Sequence, residues 1–136
     1  MLVCDEHHRV IDREMVDAHS VDVLREMKRR HEARILAEAL RTRVLQGPGE
    51  TLPRLRQASA ERAASGPAME APFDDLARLV GEAAHRVTNA QVSSVLAATG
   101  SEKATFETIA AAALGAGLSR WERAVKVLDQ ATDASE

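Results

Sequence analysis

A chain of 136 residues and 14.7 kDa has room for one compact domain, or one domain with an arm. Its net charge of −3 and pI near 6.0 exert no global pull toward nucleic acid or an anionic membrane. Aromatic residues are only 2% of the chain (Phe73, Phe106 and Trp121, with no tyrosine), which excludes a surface built to stack bases.

Alanine dominates the apolar residues, and strand-favouring side chains are scarce, so the composition predicts helices rather than a β-sandwich or barrel. Cys4 is the one cysteine, so an intramolecular disulfide, a Cys-x-x-Cys pair and a zinc–cysteine cluster are all excluded; a cytoplasmic location is expected. The excess of arginine over lysine, with so much alanine, points to a GC-rich bacterial genome. Met1-Leu2-Val3-Cys4 lacks the basic and apolar regions that precede a lipoprotein cleavage site. The least polar run, Ile109 to Leu118, is too short to span a bilayer.

Residues 1–46 read as an arm followed by a long amphipathic helix, and residues 47–136 as a helical domain. Within the arm, Cys4, Asp5, His7 and His8 form the one local cluster of metal-type ligands. A chain terminus seldom holds such groups in geometry, and no metal or other cofactor is expected. Asp5 and Glu6 beside Cys4 disfavour the thiolate that a redox role needs. Ser20 is a plausible N-cap for a helix reaching Gln46, where Gly47-Pro48-Gly49 ends it. Leu24, Met27, His31, Ile35 and Ala39 form one narrow stripe, flanked by Glu26/Arg30, Lys28/Glu32 and Arg34/Glu38 pairs at i,i+4. His31 in that stripe suits a core or interface histidine, with a pH-sensitive or ligand-binding group as the sharper alternative.

Thr51 is expected to cap a second helix, with Pro53 in its first turn and Ser65-Gly66-Pro67 at its end. A third is predicted from about Pro72 to His85, burying Phe73, Leu76, Ala77, Val80 and Ala84. Thr88-Asn89-Ala90-Gln91 has the form of a capping box opening a fourth helix, which Gly100 terminates. Ser101 caps the fifth and longest, to about Ala131. Phe106, Ile109, Ala110, Ala113, Gly117, Trp121, Ala124 and Leu128 share one of its faces, where small central residues let a partner helix approach closely. Gly115 and Gly117 each cost about 1 kcal/mol against alanine in a helix, which close packing, the favoured reading, or a local kink would account for.

The segments Arg86-Val87-Thr88-Asn89-Ala90-Gln91-Val92, Ala97-Ala98-Thr99-Gly100, Phe106-Glu107-Thr108-Ile109 and Ala111-Ala112-Ala113-Leu114-Gly115-Ala116-Gly117-Leu118, in this order and spacing, resemble the carboxymuconolactone decarboxylase family, which includes the alkylhydroperoxidase D-like proteins. The stretch from Leu52 to Val80 is similar to that family's upstream helices, so the likeness covers about residues 47–132. It implies an all-α fold of about five to six helices, an alkylhydroperoxidase D-like small helical bundle that assembles into homo-oligomers. The peroxidase branch of the family uses a Cys-x-x-Cys pair and a histidine, whose places fall near Ala84, Val87 and Gln91. Alanine and valine supply no thiolate, so thiol peroxidase activity is not expected. The groups of the decarboxylase branch find no residue-level match.

The expectation is therefore a non-catalytic oligomeric assembly or small-ligand-binding module. Its interface residues would be Ala113, Gly117 and Trp121 on the fifth helix and Leu24, Met27, His31 and Ile35 on the first long one. The alternative is a cysteine-independent enzyme acting on a small carbonyl or lactone, with Glu82, His85 and Glu107 as acid–base groups; a plain helix-terminal role for His85 competes with that reading. Residues 25–62 hold ten Lys and Arg against five Asp and Glu, and residues 63–136 hold six against ten. This asymmetry suits head-to-tail assembly or an acidic partner, or is merely a solvated face. Glutamates interleaved with Arg29, Arg30 and Arg34 argue against nucleic acid, and no membrane partner is expected.

Overall fold

The computed structural model describes residues 20–133 and is a small all-α bundle, with five α-helices and no strand among those residues. The chain divides into two compact units, residues 1–38 and 39–136. Helix α1 (Val21–Arg41) carries the described part of the first unit and opens the second with its last turn. As expected, Ser20 caps it: its hydroxyl oxygen accepts from the Val23 N–H at 3.3 Å. Arg30 donates to Glu26 at 3.1 Å and Lys28 lies 3.7 Å from Glu32, two of the three predicted i,i+4 pairs. No residue of α1 is buried.

A π-helical turn, Thr42–Gln46, continues α1 and stops at Gly47. The second unit then consists of α2 (Pro53–Ala63), α3 (Phe73–Ala83), α4 (Asn89–Thr99) and α5 (Glu102–Asp133), with a single 3-10 turn at Ala84–Arg86. Helices α2, α3 and α4 all pack on α5, and the π-helical turn packs on α2 and α5.

Local chemistry accounts for most of these boundaries. At Thr88 the capping box forms in full: the Thr88 N–H donates to Gln91 Oε1 at 2.9 Å, and the Gln91 N–H donates to Thr88 Oγ1 at 3.4 Å. Gly100 adopts the left-handed conformation (φ 72°) that ends α4, and Ser101 Oγ accepts the Ala104 N–H at the start of α5. One expected cap fails. The residue before α2 is Leu52, without a side-chain cap bond; the Thr51 hydroxyl instead donates to the Glu107 carboxylate at 2.7 Å and accepts from Arg56 Nη1 at 3.2 Å. A charged guanidinium is a stronger donor to the hydroxyl oxygen than a helix-end amide, and Pro53 removes one amide from that end in any case.

The core of the bundle is made of alanine. Ala63, Ala77, Ala112 and Ala116 form its centre, with Met69 and Val80 packed against it. Leu76, Val95, Thr108 and Ser59 are fully buried as well. Such small contacts bring helix axes to the short end of the usual 8–10 Å range. Of the residues expected inside α3, Leu76 and Ala77 are 1% exposed and Phe73 and Val80 half-buried. Ala84 is exposed, since the helix tightens into the 3-10 turn there and carries it away from the buried stripe.

On α5 the core face is Ala104, Thr105, Thr108, Ala111, Ala112 and Ala116. At 100° per residue this is the side opposite the stripe that runs from Phe106 to Leu128. Phe106 is 69% exposed and Leu128 64%, and Ala113, Gly117 and Ala124 are exposed as well. The stripe is real but is turned away from the bundle's own core.

Candidate functional site

The most elaborate polar arrangement joins the π-helical turn, α2 and α5 around Arg56, a residue only 2% exposed. Arg56 lies on the inner face of α2, one turn after Leu52. Its Nη1 donates to the Thr51 carbonyl at 2.6 Å and to Thr51 Oγ1 at 3.2 Å, and lies 3.5 Å from Glu107 Oε2. Its Nε donates to the Leu45 carbonyl at 3.4 Å, and its Nη2 to the Gly47 carbonyl. Glu107, on the first turns of α5, closes the knot from the other side. One of its oxygens accepts the Glu50 N–H at 3.0 Å; the other accepts the Thr51 N–H at 2.8 Å and the Thr51 hydroxyl. The Thr51 hydroxyl and amide, the Glu50 amide and the Arg56 charge together hold the Glu107 carboxyl down at about 2. A carboxylate so stabilised is a poor proton acceptor at neutral pH, because its conjugate acid is far too strong. The chemistry of this knot is to pin the 47–51 loop onto the bundle.

The other proposed acid–base residues lie elsewhere. Glu82 is on the exposed side of α3 and pairs with Arg78 at 2.9 Å. His85 is exposed in the 3-10 turn that follows, in keeping with a helix-terminal position. That end of α3 is tied to α5 by Arg120, which donates to the Gly81 carbonyl. Arg120 is thirteen residues beyond Glu107, about 20 Å along a helix. The fold therefore does not bring Glu107 to Glu82 or His85, and no shared acid–base centre forms from the three.

A groove of about 300 Å³ opens beside the knot, with an apolar floor of Leu45, Ala60, Ala64, Leu114 and Leu118. Gly115 completes that floor. A Cβ there would meet the Ala60 carbonyl, so the glycine is what lets α2 and α5 touch backbone to backbone. The groove's rim carries Gln46, Gln57, Glu61 and the ion pair of Arg41 with Glu122 at 2.6 Å. A second clasp, Arg62 with Asp74 at 2.7 Å, holds the loop between α2 and α3. The Met69 N–H and then the Arg62 guanidinium keep the Asp74 carboxyl below its ordinary range.

The expected interface residues all face solvent or its margin in the single chain. Ala113 and Gly117 are exposed, and Trp121 is half-buried at the stripe's edge. Among the described residues a Cβ built on Gly117 meets nothing within 4 Å, in contrast to Gly115 two residues earlier. Leu24, Met27, His31 and Ile35 of α1 are exposed too, at 39%, 56% and 57% for the three apolar ones. Cys4, Asp5, His7 and His8 lie outside the described residues. Among the described residues no three His, Cys, Asp or Glu side chains are grouped to hold a metal ion, and no helix is long and apolar enough to cross a membrane.

Arg56 is a functional-looking residue that the sequence does not flag, and Thr51 is one it marks only as a helix cap. Their link to Glu107 spans more than fifty positions, beyond the reach of any local pattern. The one available signal was an arginine on the inner face of an alanine-rich helix, a charge that must be paired if it is buried. No protein-family model, curated protein or solved structure matches the chain.

Proposed function

We propose that this chain is a non-catalytic, carboxymuconolactone decarboxylase-like module whose role is assembly, forming a homo-oligomer through the outward stripe of α5. The observation that carries this reading is the exposure of Phe106, Ala113, Gly117, Ala124 and Leu128 on one continuous helix face. A helix that is apolar on both sides needs cover on both, and contiguous exposed apolar surface marks interaction sites. The employment of Glu107 as a loop clamp, and its separation from Glu82 and His85, favour a non-catalytic role. The family likeness rests on the order of the motif segments between residues 86 and 118 and on the all-α architecture.

Native mass spectrometry of the full chain tests the proposal. The unaltered protein should be a defined homo-oligomer at micromolar concentration, and Gly117→Leu should reduce it to monomer while its helical circular dichroism stays unchanged. A monomeric unaltered protein, or an oligomer indifferent to Gly117→Leu, overturns it.

The groove beside Gly115 favours a second reading, in which the module also holds a small, mainly apolar ligand. Its volume of about 300 Å³ lies at the lower edge of ligand pockets. Such a ligand would register as extra mass in gentle spectra that vanishes on denaturation; spectra without it count against this reading.

A further inference from the structure

The outward stripe of α5 has a pattern of sizes centred on Gly117. Four residues away on either side stand Ala113 and Trp121; seven away, Ala110 and Ala124; eleven away, Phe106 and Leu128. A second copy laid antiparallel, with a two-fold axis at Gly117, sets Trp121 over the partner's Ala113 and Phe106 against the partner's Leu128. The small pair, Ala110 and Ala124, then oppose each other, and glycine meets glycine at the axis. Large faces small where the backbones are closest, and large meets large where they are free to part.

Three further features fit this occupant. Small residues recur every seventh position, at Ala110, Gly117, Ala124 and Ala131, the spacing that keeps one seam facing a partner helix along its length. Gly117 has open space where a side chain would stand, so nothing among the described residues offsets the cost of about 1 kcal/mol that a helical glycine carries. The middle of the stripe, from Phe106 to Leu128, bears a charge only at its margin, on Arg120, whose guanidinium is turned to the Gly81 carbonyl; depletion of charge marks the core of an interface. Trp121 distinguishes the two directions. A parallel pairing in register sets Trp121 level with its own copy. The antiparallel one sets it level with the partner's Ala113.

We infer that α5 pairs with α5 of a second copy, antiparallel and isologous, about a two-fold axis at Gly117. This rests on the assembly reading above and adds to it the partner surface, the direction and the register. Cysteine cross-linking of the full chain tests it, in a Cys4→Ser background and with circular dichroism as a check on folding. A disulfide requires Cα atoms within about 7 Å. In the pairing inferred, residues 117 approach each other across the two-fold axis, whereas residues 106 of the two copies stand about 33 Å apart along the helices. Mild oxidation should therefore make disulfide dimer the main species for Gly117→Cys and leave none above background for Phe106→Cys. A mixture of Phe106→Cys with Leu128→Cys should form the mixed dimer.

Self-linking at position 106 in an oligomeric protein would mean parallel pairing, and would overturn the inference while leaving the assembly reading intact. An oligomer in which none of these positions links would also overturn it, and would move the interface off this face. A monomer by native mass spectrometry removes both readings together.

Discussion

The two faces of α5 are built from nearly the same residues and meet opposite fates. The inner face is Ala104, Thr108, Ala111, Ala112 and Ala116, packed against α2, α3 and α4; the outer is Ala110, Ala113, Gly117 and Ala124, with Phe106 and Leu128 toward the ends. Gly115 and Gly117 condense the contrast into two residues. One is required because the backbone of α2 lies against it, and the other has open space around it. Burial here follows not from apolarity, which the outer face has in greater measure, but from the position of the polar anchors. Glu107 and Arg56 tie one flank of α5 to the 47–51 loop, and Arg120 ties its middle to α3. These links settle which side turns inward.

Substitutions at these positions sharpen the contrast, and the largest effect belongs to the anchor. Glu107→Ala leaves the Arg56 guanidinium buried without its carboxylate and should cost about 3–5 kcal/mol in urea denaturation. A loss below 1 kcal/mol would mean that the knot does not orient the helix. The same group makes stability depend on acid. Its carboxyl titrates at about 2 in the fold against 4.5 ordinarily, so its contribution is complete above about pH 5 and is lost as pH falls from 4.5 toward 2. The stability gap between the unaltered protein and Glu107→Gln should accordingly be widest near neutrality and narrow through that window. A gap that stays constant with pH would show that the ionised carboxylate is not what stabilises the loop.

Gly115→Ala comes next. The added methyl meets the Ala60 carbonyl, so the change should cost about 1–3 kcal/mol even though alanine is the better helix former. At concentrations where the chain is monomeric, Gly117→Ala should do the reverse and raise thermal stability by roughly 0.5–1 kcal/mol, because only helix propensity acts there. Equal signs for the two glycines would erase the distinction between the faces. The smallest effect is expected from Phe106→Ala, within about 0.5 kcal/mol for unfolding of the single chain, as for other exposed sites. Its consequence should appear instead in the oligomer population.

Much of the molecule was legible before any fold was known. Ser20, the Thr88–Gln91 box, Gly100 and Ser101 announced helix ends, because a cap acts over three or four residues and carries its chemistry with it. The stripe of Leu76 and Ala77 on α3 was likewise visible as a period. The candidate site was legible only in part. Glu107 stood out as an acid, but its partners Thr51 and Arg56 are 56 and 51 residues away, and Thr51 was assigned instead to the local cap that its neighbours offered. The grouping of Glu107 with Glu82 and His85 followed from chemistry without distance, and about 20 Å of α5 lies between Glu107 and Arg120, the residue that holds the Glu82 and His85 end of α3.

What the sequence by itself determined is the list of helices, most of their ends and the presence of an apolar stripe on α5, since all three depend on contacts within a few residues. The tertiary structure alone decided which side of α5 is core, where the Glu107 charge is spent and which glycine is a contact. A helix rich in alanine around most of its circumference has no single amphipathic direction to read. Its orientation is set by ion pairs and hydrogen bonds between residues far apart in the chain, and these exist only once the helices have met.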